Sequence, residues 1–203
     1  MASLDTRGAR VRARREELLD QLVELVLAEG FALVTLDELA RRLRCSKSTL
    51  YGIAASKEQL VVAAVKRFFQ RATAAVEGRL TGPGDSREQI STYLLAVAEQ
   101  LQPASPAFFA DVAAFAPARE IYERNTRAAA ARVQQLVSEG VAAGTVRPVH
   151  APFVGAAVAQ VMGAIHCGAI TASTGLDDAA AYRELAALVV AGIQKDPPVP
   201  GGA

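Results

Sequence analysis

The residues best placed to do chemistry lie between Thr35 and Leu60, in the run TLDELARRLRCSKSTLYGIAASKEQL. Thr35, with Glu38 three residues later, has the pattern of a capping box, in which a hydroxyl accepts a backbone N–H at a helix start. Ser46 is placed to begin a second short helix in the same way. The N–H groups of such helix starts suit the binding of phosphate oxygens. Lys47 adds a cation that reaches either a phosphate or a guanine edge.

Two short helices separated by a tight turn must position these side chains. The first has one apolar face, because its apolar residues recur with helical spacing at Leu36, Leu39, Ala40 and Leu43. The second begins after a turn of only a few residues. This spacing is typical of a helix-turn-helix, whose second helix enters the major groove of DNA. Ser56 and Gln59 form another capping-box pattern, which begins a longer helix.

Four short blocks in this region resemble the N-terminal signature of the tetracycline-repressor (TetR) family. They are Gly30-Phe31, Thr35-Leu-Asp-Glu-Leu-Ala40, Ser46-Lys-Ser-Thr-Leu-Tyr51 and Ser56-Lys-Glu-Gln-Leu60. Tyr51 and Lys57 match family positions that usually contact the DNA backbone. Together with the helix-turn-helix pattern, the resemblance predicts a DNA-binding set of Thr35, Arg44, Ser46, Lys47, Ser48, Thr49, Tyr51 and Lys57.

The sequence departs from the family pattern at two places. Arg44 stands where the family usually has glycine, and a left-handed backbone there costs a non-glycine residue about 1 kcal/mol. Ile53 and Ala54 stand where the family often has His-Phe, so the junction after the second short helix packs differently. This change leaves open a second interpretation, a helical ligand-binding protein whose head no longer binds DNA specifically. A small all-α enzyme that uses His166 is a third.

The whole chain predicts an all-α fold with a helix-turn-helix head and a helical body. Of its 203 residues 51% are hydrophobic, and none is tryptophan. We expect residues 1 to about 8 to be disordered, a three-helix DNA-binding head at 9–55, an effector-binding and dimerisation domain at 56–195, and a disordered tail at 196–203. One helix is expected from about Pro152 to Thr171. No internal repeat is found.

Charge and motifs narrow the possible functions. The net charge is +1, so a DNA-binding face depends on local placement of cations, such as the arginine-rich stretch before the first helix core. That stretch could follow a groove of DNA or contact phosphates alone. Cys45 and Cys167 form no disulfide or metal-ligand pattern. Without a secretory h-region, a membrane-spanning run or an enzyme motif, the chain is expected to be a cytoplasmic non-enzyme without a cofactor or metal.

Small residues recur every four positions in the region of the expected 152–171 helix, and such rows let helices approach closely. The resemblance implies a homodimer formed through the last two long helices, an isologous twofold contact. The expected interface residues are Gly155, Ala159, Gly163, Leu185, Leu188 and Val189. Packing within one chain is the alternative use of these rows.

The resemblance also implies that the body holds a small-molecule effector. Aromatic and soft side chains are the candidates for an apolar site, although side chains of this kind also fill ordinary cores. They are Tyr93, Phe108, Phe109, Phe115, Met162 and His166. These expectations combine into a dimeric regulator, a repressor that binds a palindromic operator in double-stranded DNA and is released by its ligand.

Overall fold

The computed structural model describes residues 2–80 and 85–195, and within these ranges all regular structure is helical. This result confirms the all-α prediction. The expected tail at 196–203 lies outside the described residues. The helices are α1 (Ala2–Glu29), α2 (Leu36–Arg42), α3 (Lys47–Tyr51), α4 (Lys57–Glu77), α5 (Ser86–Leu101), α6 (Pro106–Ala114), α7 (Ala116–Ala142), α8 (Ala151–His166), α9 (Ala169–Thr174) and α10 (Asp178–Ile193).

Two compact units divide the chain. The first is formed by Met1–Ala72 with Pro103–Glu123, and the second by Thr73–Gln102 with Arg124–Ala203. The first unit therefore includes α6, which the sequence-based division at residue 55 assigned to the body. The reason is aromatic packing, because Phe108 of α6 meets the rings of Phe31 and Phe68 edge to face at 6.4 and 6.0 Å between centroids.

Two helix boundaries differ from the expectation. Helix α1 begins at Ala2, although residues 1 to 8 were expected to be disordered. Three of the seven residues in this extension, Ala2, Leu4 and Arg7, are strong helix formers, and the single Gly8 costs only about 1 kcal/mol relative to alanine. The helix expected from Pro152 to Thr171 is broken instead, because Gly168 adopts a left-handed backbone (φ 75°) between α8 and α9.

The second unit is built around one continuous apolar core. Its fully buried side chains come from α5, α7, α8 and α10, and they include Leu94, Leu136, Ile165 and Tyr182. Helix α8 approaches α7 closely at Gly155, where an added Cβ would lie 2.8 Å from the carbonyl oxygen of Ala130. That glycine therefore serves packing inside the subunit.

Arg44 does adopt the left-handed backbone that its place in the turn requires. Its φ is 49°, and among the described residues it is the sole non-glycine with a positive φ. The turn ends α2 and delivers Ser46 to the start of α3. The conformation therefore stores strain directly beside α3.

Replacing Arg44 by glycine is expected to raise the free energy of unfolding by up to about 1 kcal/mol. Glycine accepts the positive φ without the Cβ penalty, although it also gains freedom in the unfolded chain, which reduces the benefit. Urea unfolding of the two proteins measures the change. Arg44→Ala, which keeps a Cβ, is the control, and equal stability of the alanine and glycine variants would contradict the strain.

Candidate DNA-binding surface

Side-chain caps begin both helices of the helix-turn-helix. The Glu38 N–H donates to Thr35 Oγ1 at 3.2 Å, and the Thr49 N–H donates to Ser46 Oγ at 3.1 Å. The Glu38 carboxylate accepts hydrogen bonds from Arg41 at 2.5 Å and Arg42 at 2.6 Å instead of completing a reciprocal box. These two guanidinium groups lower the pKa of Glu38 to about 2, so this carboxylate is charged at any physiological pH.

Helix α3 presents one buried side chain and a polar outer surface. Leu50 is 0% exposed and anchors the helix, while Tyr51 is 52% exposed. The outer surface is formed by Lys47, Ser48 and Thr49, which are all exposed. The Ser46 hydroxyl lies 2.7 Å from that of Ser48 and 2.8 Å from that of Thr49. The structure thus brings the predicted residues of α3 together as a row of hydroxyls beside a lysine and a phenol.

Lys47 is engaged by a carboxylate of the preceding helix. Its Nζ lies 2.6 Å from Asp37 Oδ1, and both side chains are exposed. The hydrogen bond to Asp37 raises the pKa of Lys47, so the lysine stays charged. An exposed pair of this kind contributes at most about 1 kcal/mol. It can therefore open when a stronger anion approaches.

Lys57 stabilises the turn between α1 and α2 through a hydrogen bond to its backbone. Its Nζ donates to the carbonyl oxygen of Ala32 at 3.0 Å, and the side chain is half-buried. The same turn is held from α6, because Asp111 Oδ2 accepts the N–H groups of Phe31 at 2.5 Å and Ala32 at 2.8 Å. Sequence reasoning missed Asp111, since nothing local signals a bond across 80 positions of the chain. The structure gives Lys57 a structural role beside any contact with DNA.

At the junction after α3 the family often has an aromatic residue, and this chain has Ile53 and Ala54 instead. Here an arginine of α1 closes the junction. Arg15 of α1 donates from Nη2 to the carbonyl oxygen of Ile53 at 2.9 Å. A cation at a helix C-terminus also interacts favourably with the helix dipole. Ile53 and Ala54 are half-buried. The arginine therefore ties α3 to α1.

The residues expected to bind an effector fall into different units. Phe108 and Phe109 are buried and Phe115 is half-buried, and all three pack in the first unit, where Phe31 meets Phe115 at 6.1 Å. Tyr93, Met162 and His166 lie in the buried core of the second unit. Of these, Tyr93 and Met162 belong to one apolar cluster, which the buried His166 meets through Tyr182.

A buried polar pair marks the core of the second unit. The Tyr182 hydroxyl and His166 Nε2 lie 2.9 Å apart, with both residues buried. Burial lowers the pKa of His166 to about 4, so the imidazole is neutral at pH 7. Burial likewise raises the pKa of Tyr93 to about 12. Tyr182 was absent from the sequence-based set, and its place in the apolar stripe of α10 gave no sign of a polar partner.

Because the folded protein resists charging His166, we expect stability to fall as the pH drops from about 6.5 to about 4. In this window the unfolded histidine binds a proton and the folded one does not, which removes about 3 kcal/mol from the free energy of unfolding. Urea unfolding between pH 7 and pH 4 measures the loss. His166→Gln is expected to lack this component, while His150→Gln, a change at an exposed histidine, retains it. Parallel pH profiles for wild type and His166→Gln would refute the assignment.

An apolar surface lies along α8 and α10. Phe153 is 69% exposed and Leu188 71% exposed, and both border a groove of about 500 Å³. Val189 and the buried Leu185 also line this groove, whereas Ala159 and Gly163 are half-buried. Of the expected interface residues, Gly155 is turned to α7 inside the subunit. Phe153 was not in the expected set, because the small-residue rows drew attention to another face of α8.

Neither a membrane-spanning helix nor a metal-binding group occurs among the residues that the structure describes. Within residues 2–80 and 85–195, no helix is long and apolar enough to cross a bilayer. In the same ranges, no group of three or more histidine, cysteine or acidic residues is arranged to hold a metal ion. Cys45 and Cys167 are both free thiols.

Comparison with known proteins agrees with this architecture. Residues 18–64 match the family model described as bacterial regulatory proteins, tetR family. No curated protein sequence matches the chain. Among solved structures, a protein from Saccharomonospora viridis in complex with choline is 15% identical and has a TM-score of 0.74, covering 90% of this chain and 98% of its own.

Two further structures are TetR-family regulators by description. The protein from Haloarcula marismortui has a TM-score of 0.72 and the one from Agrobacterium tumefaciens 0.69, each at 16% identity over 91% of this chain and 100% of its own. At such identities the likeness establishes the fold, while the matched segment contains both α2 and α3 with their exposed polar row. Residues 18–64 thus match the tetR family of bacterial regulatory proteins, and the chain shares its fold with solved transcriptional regulators of that family.

Proposed function

We propose that this protein is a TetR-family transcriptional regulator, a cytoplasmic, non-enzymatic repressor that binds a palindromic operator as a homodimer and releases it when a small molecule binds. The observation that carries the proposal is the exposed row on α3, where Lys47, Ser48, Thr49 and Tyr51 surround a buried Leu50. Such a row can meet base edges and phosphates together. Two heads in a dimer would read half-sites about one helical turn apart or somewhat more.

The apolar surface of α8 and α10 supports dimerisation. Large apolar side chains as exposed as Phe153 and Leu188, side by side along one groove, mark a surface that is covered in the working protein. A twofold contact places the same surface of each subunit against the other, so the interface buries both copies of each of these side chains. We take Phe153, Leu188 and Val189 as the centre of the interface.

The core of the second unit supports a ligand-binding role. Tyr93, Met162 and Tyr182 belong to one apolar cluster, and the His166–Tyr182 pair supplies polar atoms beside it. Apolar walls with a few placed polar groups are what a small-molecule site requires. The choline complex of the Saccharomonospora viridis protein illustrates small-molecule binding on this fold. The ligand would act by binding the DNA-incompetent arrangement more tightly, with a coupling of about 1–3 kcal/mol.

A gel shift with the DNA upstream of the protein's own reading frame tests the proposal. We expect the wild-type chain to shift this DNA in preference to a scrambled duplex. Replacing Lys47 and Tyr51 together by alanine is expected to weaken binding at least a hundredfold, from about 1–3 kcal/mol for each lost contact. Gel filtration of the variant is expected to give the wild-type oligomer.

Lys66→Ala provides the matched control, because Lys66 is an exposed lysine of α4 remote in sequence from α3. It is expected to bind DNA like the wild type. If the purified dimer does not prefer the upstream DNA even at low salt, the repressor proposal is wrong. That outcome would favour the interpretation as a ligand-binding protein, which the replacement of His-Phe by Ile53-Ala54 first raised.

A further inference from the structure

We infer that Arg10 and Arg14 of α1 form a second DNA-binding element, which contacts backbone phosphates beside the recognition helix. This inference rests on the DNA binding proposed above and adds a surface outside the helix-turn-helix. The partner is the sugar-phosphate backbone of duplex DNA, read by charge and position. The role of these arginines is to position the head and strengthen binding, while base recognition stays with α3.

The geometry begins with a groove of about 410 Å³ in the first unit. One side belongs to α1 and carries arginines, and the other is formed by Thr49 of α3 and the two residues after that helix. Its lining residues are Arg10, Arg14, Arg15, Leu18, Thr49, Gly52 and Ile53. Thr49 is part of the exposed row on α3, so the arginine wall lies directly beside the side chains that face DNA.

The helical spacing puts Arg10 and Arg14 on one face of α1. Residues four apart stand one above the other on a helix, and Leu18, four residues further on, is buried and fixes the rotation of that face. Arg12 points about 160–200° away from both. The helix therefore places Arg10 and Arg14 on the side of the groove and Arg12 on the opposite side. The groove that distinguishes the two sides is seen only in the folded chain.

The arginines of this wall differ in how freely they can bind a phosphate. Arg15 is engaged with the carbonyl oxygen of Ile53. Arg14 has an exposed partner in Glu17 at 2.7 Å, an ion pair that a phosphate can replace at little cost. Arg10 is exposed and forms no ion pair with the side chains that the structure describes. Two guanidinium groups are thus available on the groove side.

The dimensions of DNA explain why a phosphate reaches them. The major groove is about 12 Å wide, and an α-helix with its side chains is about 10–12 Å across. A helix seated in the groove therefore has a phosphate backbone close along each of its sides. Since α1 flanks α3 at Thr49 and Gly52, one backbone must run past the arginine wall. Arginine suits this contact, because its guanidinium can bind a phosphate with two hydrogen bonds.

The test measures how DNA affinity depends on salt. Fluorescence anisotropy with the upstream DNA fragment and with a scrambled duplex of the same length gives the affinity at several salt concentrations. Each lost phosphate contact reduces the slope of log K against log salt by about 0.9. For Arg10→Ala/Arg14→Ala in both heads of a dimer we expect the slope to fall by about 3 to 4, with unchanged preference for the upstream DNA.

Raising the salt from about 50 to 200 mM weakens the binding of both proteins. With the smaller slope, the factor by which the variant's affinity falls is about a hundredfold less than that of the wild type. Arg12→Ala, on the opposite side of α1, is expected to reproduce the wild-type slope. Arg10→Lys/Arg14→Lys is expected to restore most of it, which separates charge from a fold defect, and matching thermal unfolding confirms the fold.

The outcomes distinguish this inference from the function on which it rests. If the double alanine variant has the same slope of log K against log salt as Arg12→Ala, the proposed arginine–phosphate contacts are wrong, while DNA binding itself stands. A changed preference between the two duplexes, with the slope unaltered, would assign the arginines to base recognition and also overturn the inference. A wild-type chain that binds neither duplex at low salt refutes the DNA-binding function, and this element with it.

Discussion

Replacing Phe153 and Leu188 together by glutamate is expected to convert the proposed dimer into a monomer. Burying either side chain contributes about 1.5–3 kcal/mol, and the twofold contact contains each of them twice. The glutamates add four charges to the same small area, where they repel one another and lose water. We expect the dimer dissociation constant to rise more than a thousandfold, measured by sedimentation equilibrium over a range of concentrations.

The same variant should also lose most of its operator affinity, because each half-site is then bound by a separate chain. Leu33→Glu is the matched control, since Leu33 is 96% exposed in the first unit and receives the same apolar-to-acidic change. We expect this control to remain a dimer. A Phe153→Glu/Leu188→Glu protein that sediments like the wild type would show that another surface joins the subunits, and the choice of α8 and α10 would be wrong.

Asp111→Ala is expected to lower the free energy of unfolding by about 3 kcal/mol. The carboxylate accepts two backbone N–H groups, from Phe31 and Ala32, and hydrogen bonds to charged groups contribute about 1.5–3 kcal/mol each, though not additively. Phe31 is buried, so its N–H group is left without a partner once the carboxylate is removed. Urea unfolding with matched m-values measures the effect.

Asp111→Asn separates hydrogen bonding from side-chain volume. The amide keeps an oxygen that accepts at least one of the two N–H groups, and we expect it to recover about half of the lost stability. Asn and Ala variants of equal stability would indicate that the negative charge is the essential property. An alanine variant as stable as the wild type would contradict the importance of the contact between α6 and the turn.

The sequence predicted the local structure of the head well, because that structure depends on residues close to one another in the chain. Thr35, Ser46 and Ser56 cap helices through hydrogen bonds that span three positions, and Arg44 lies in a turn whose backbone is set by its place between two helices. Patterns this short can be recognised in the sequence without knowledge of the tertiary structure. They identified the recognition helix and its exposed side chains.

Features that depend on distant residues were not predictable in the same way. Asp111 lies 80 positions from Phe31, and Tyr182 lies 16 positions from His166. Nothing in a helical pattern says which buried position will meet a polar partner on another helix. The three phenylalanines of α6 and its C-terminus illustrate the same limit, because their spacing could not assign them to the first unit, where Phe108 and Phe109 are buried and Phe115 is half-buried.

The interface prediction was affected by the rotation of α8. Small residues occur on several faces of this helix, and the close approach at Gly155 directs one such row to α7. Such a row suits a partner subunit for the same physical reason that it suits a neighbouring helix, since small side chains let two helices approach closely. The exposed fractions of Phe153 and Leu188 identify the outward face, and these depend on the folded chain.

The ion pair between Lys47 and Asp37 has a consequence for the state of α3 before DNA binds. Before any duplex arrives, the leading cation of α3 already has an anion beside it. In the proposed complex, Lys47 would exchange that carboxylate for a phosphate or for the O6 and N7 atoms of a guanine. Because the exposed pair contributes at most about 1 kcal/mol, the exchange costs little, and Asp37 would hold the lysine at the start of α3 until DNA takes its place.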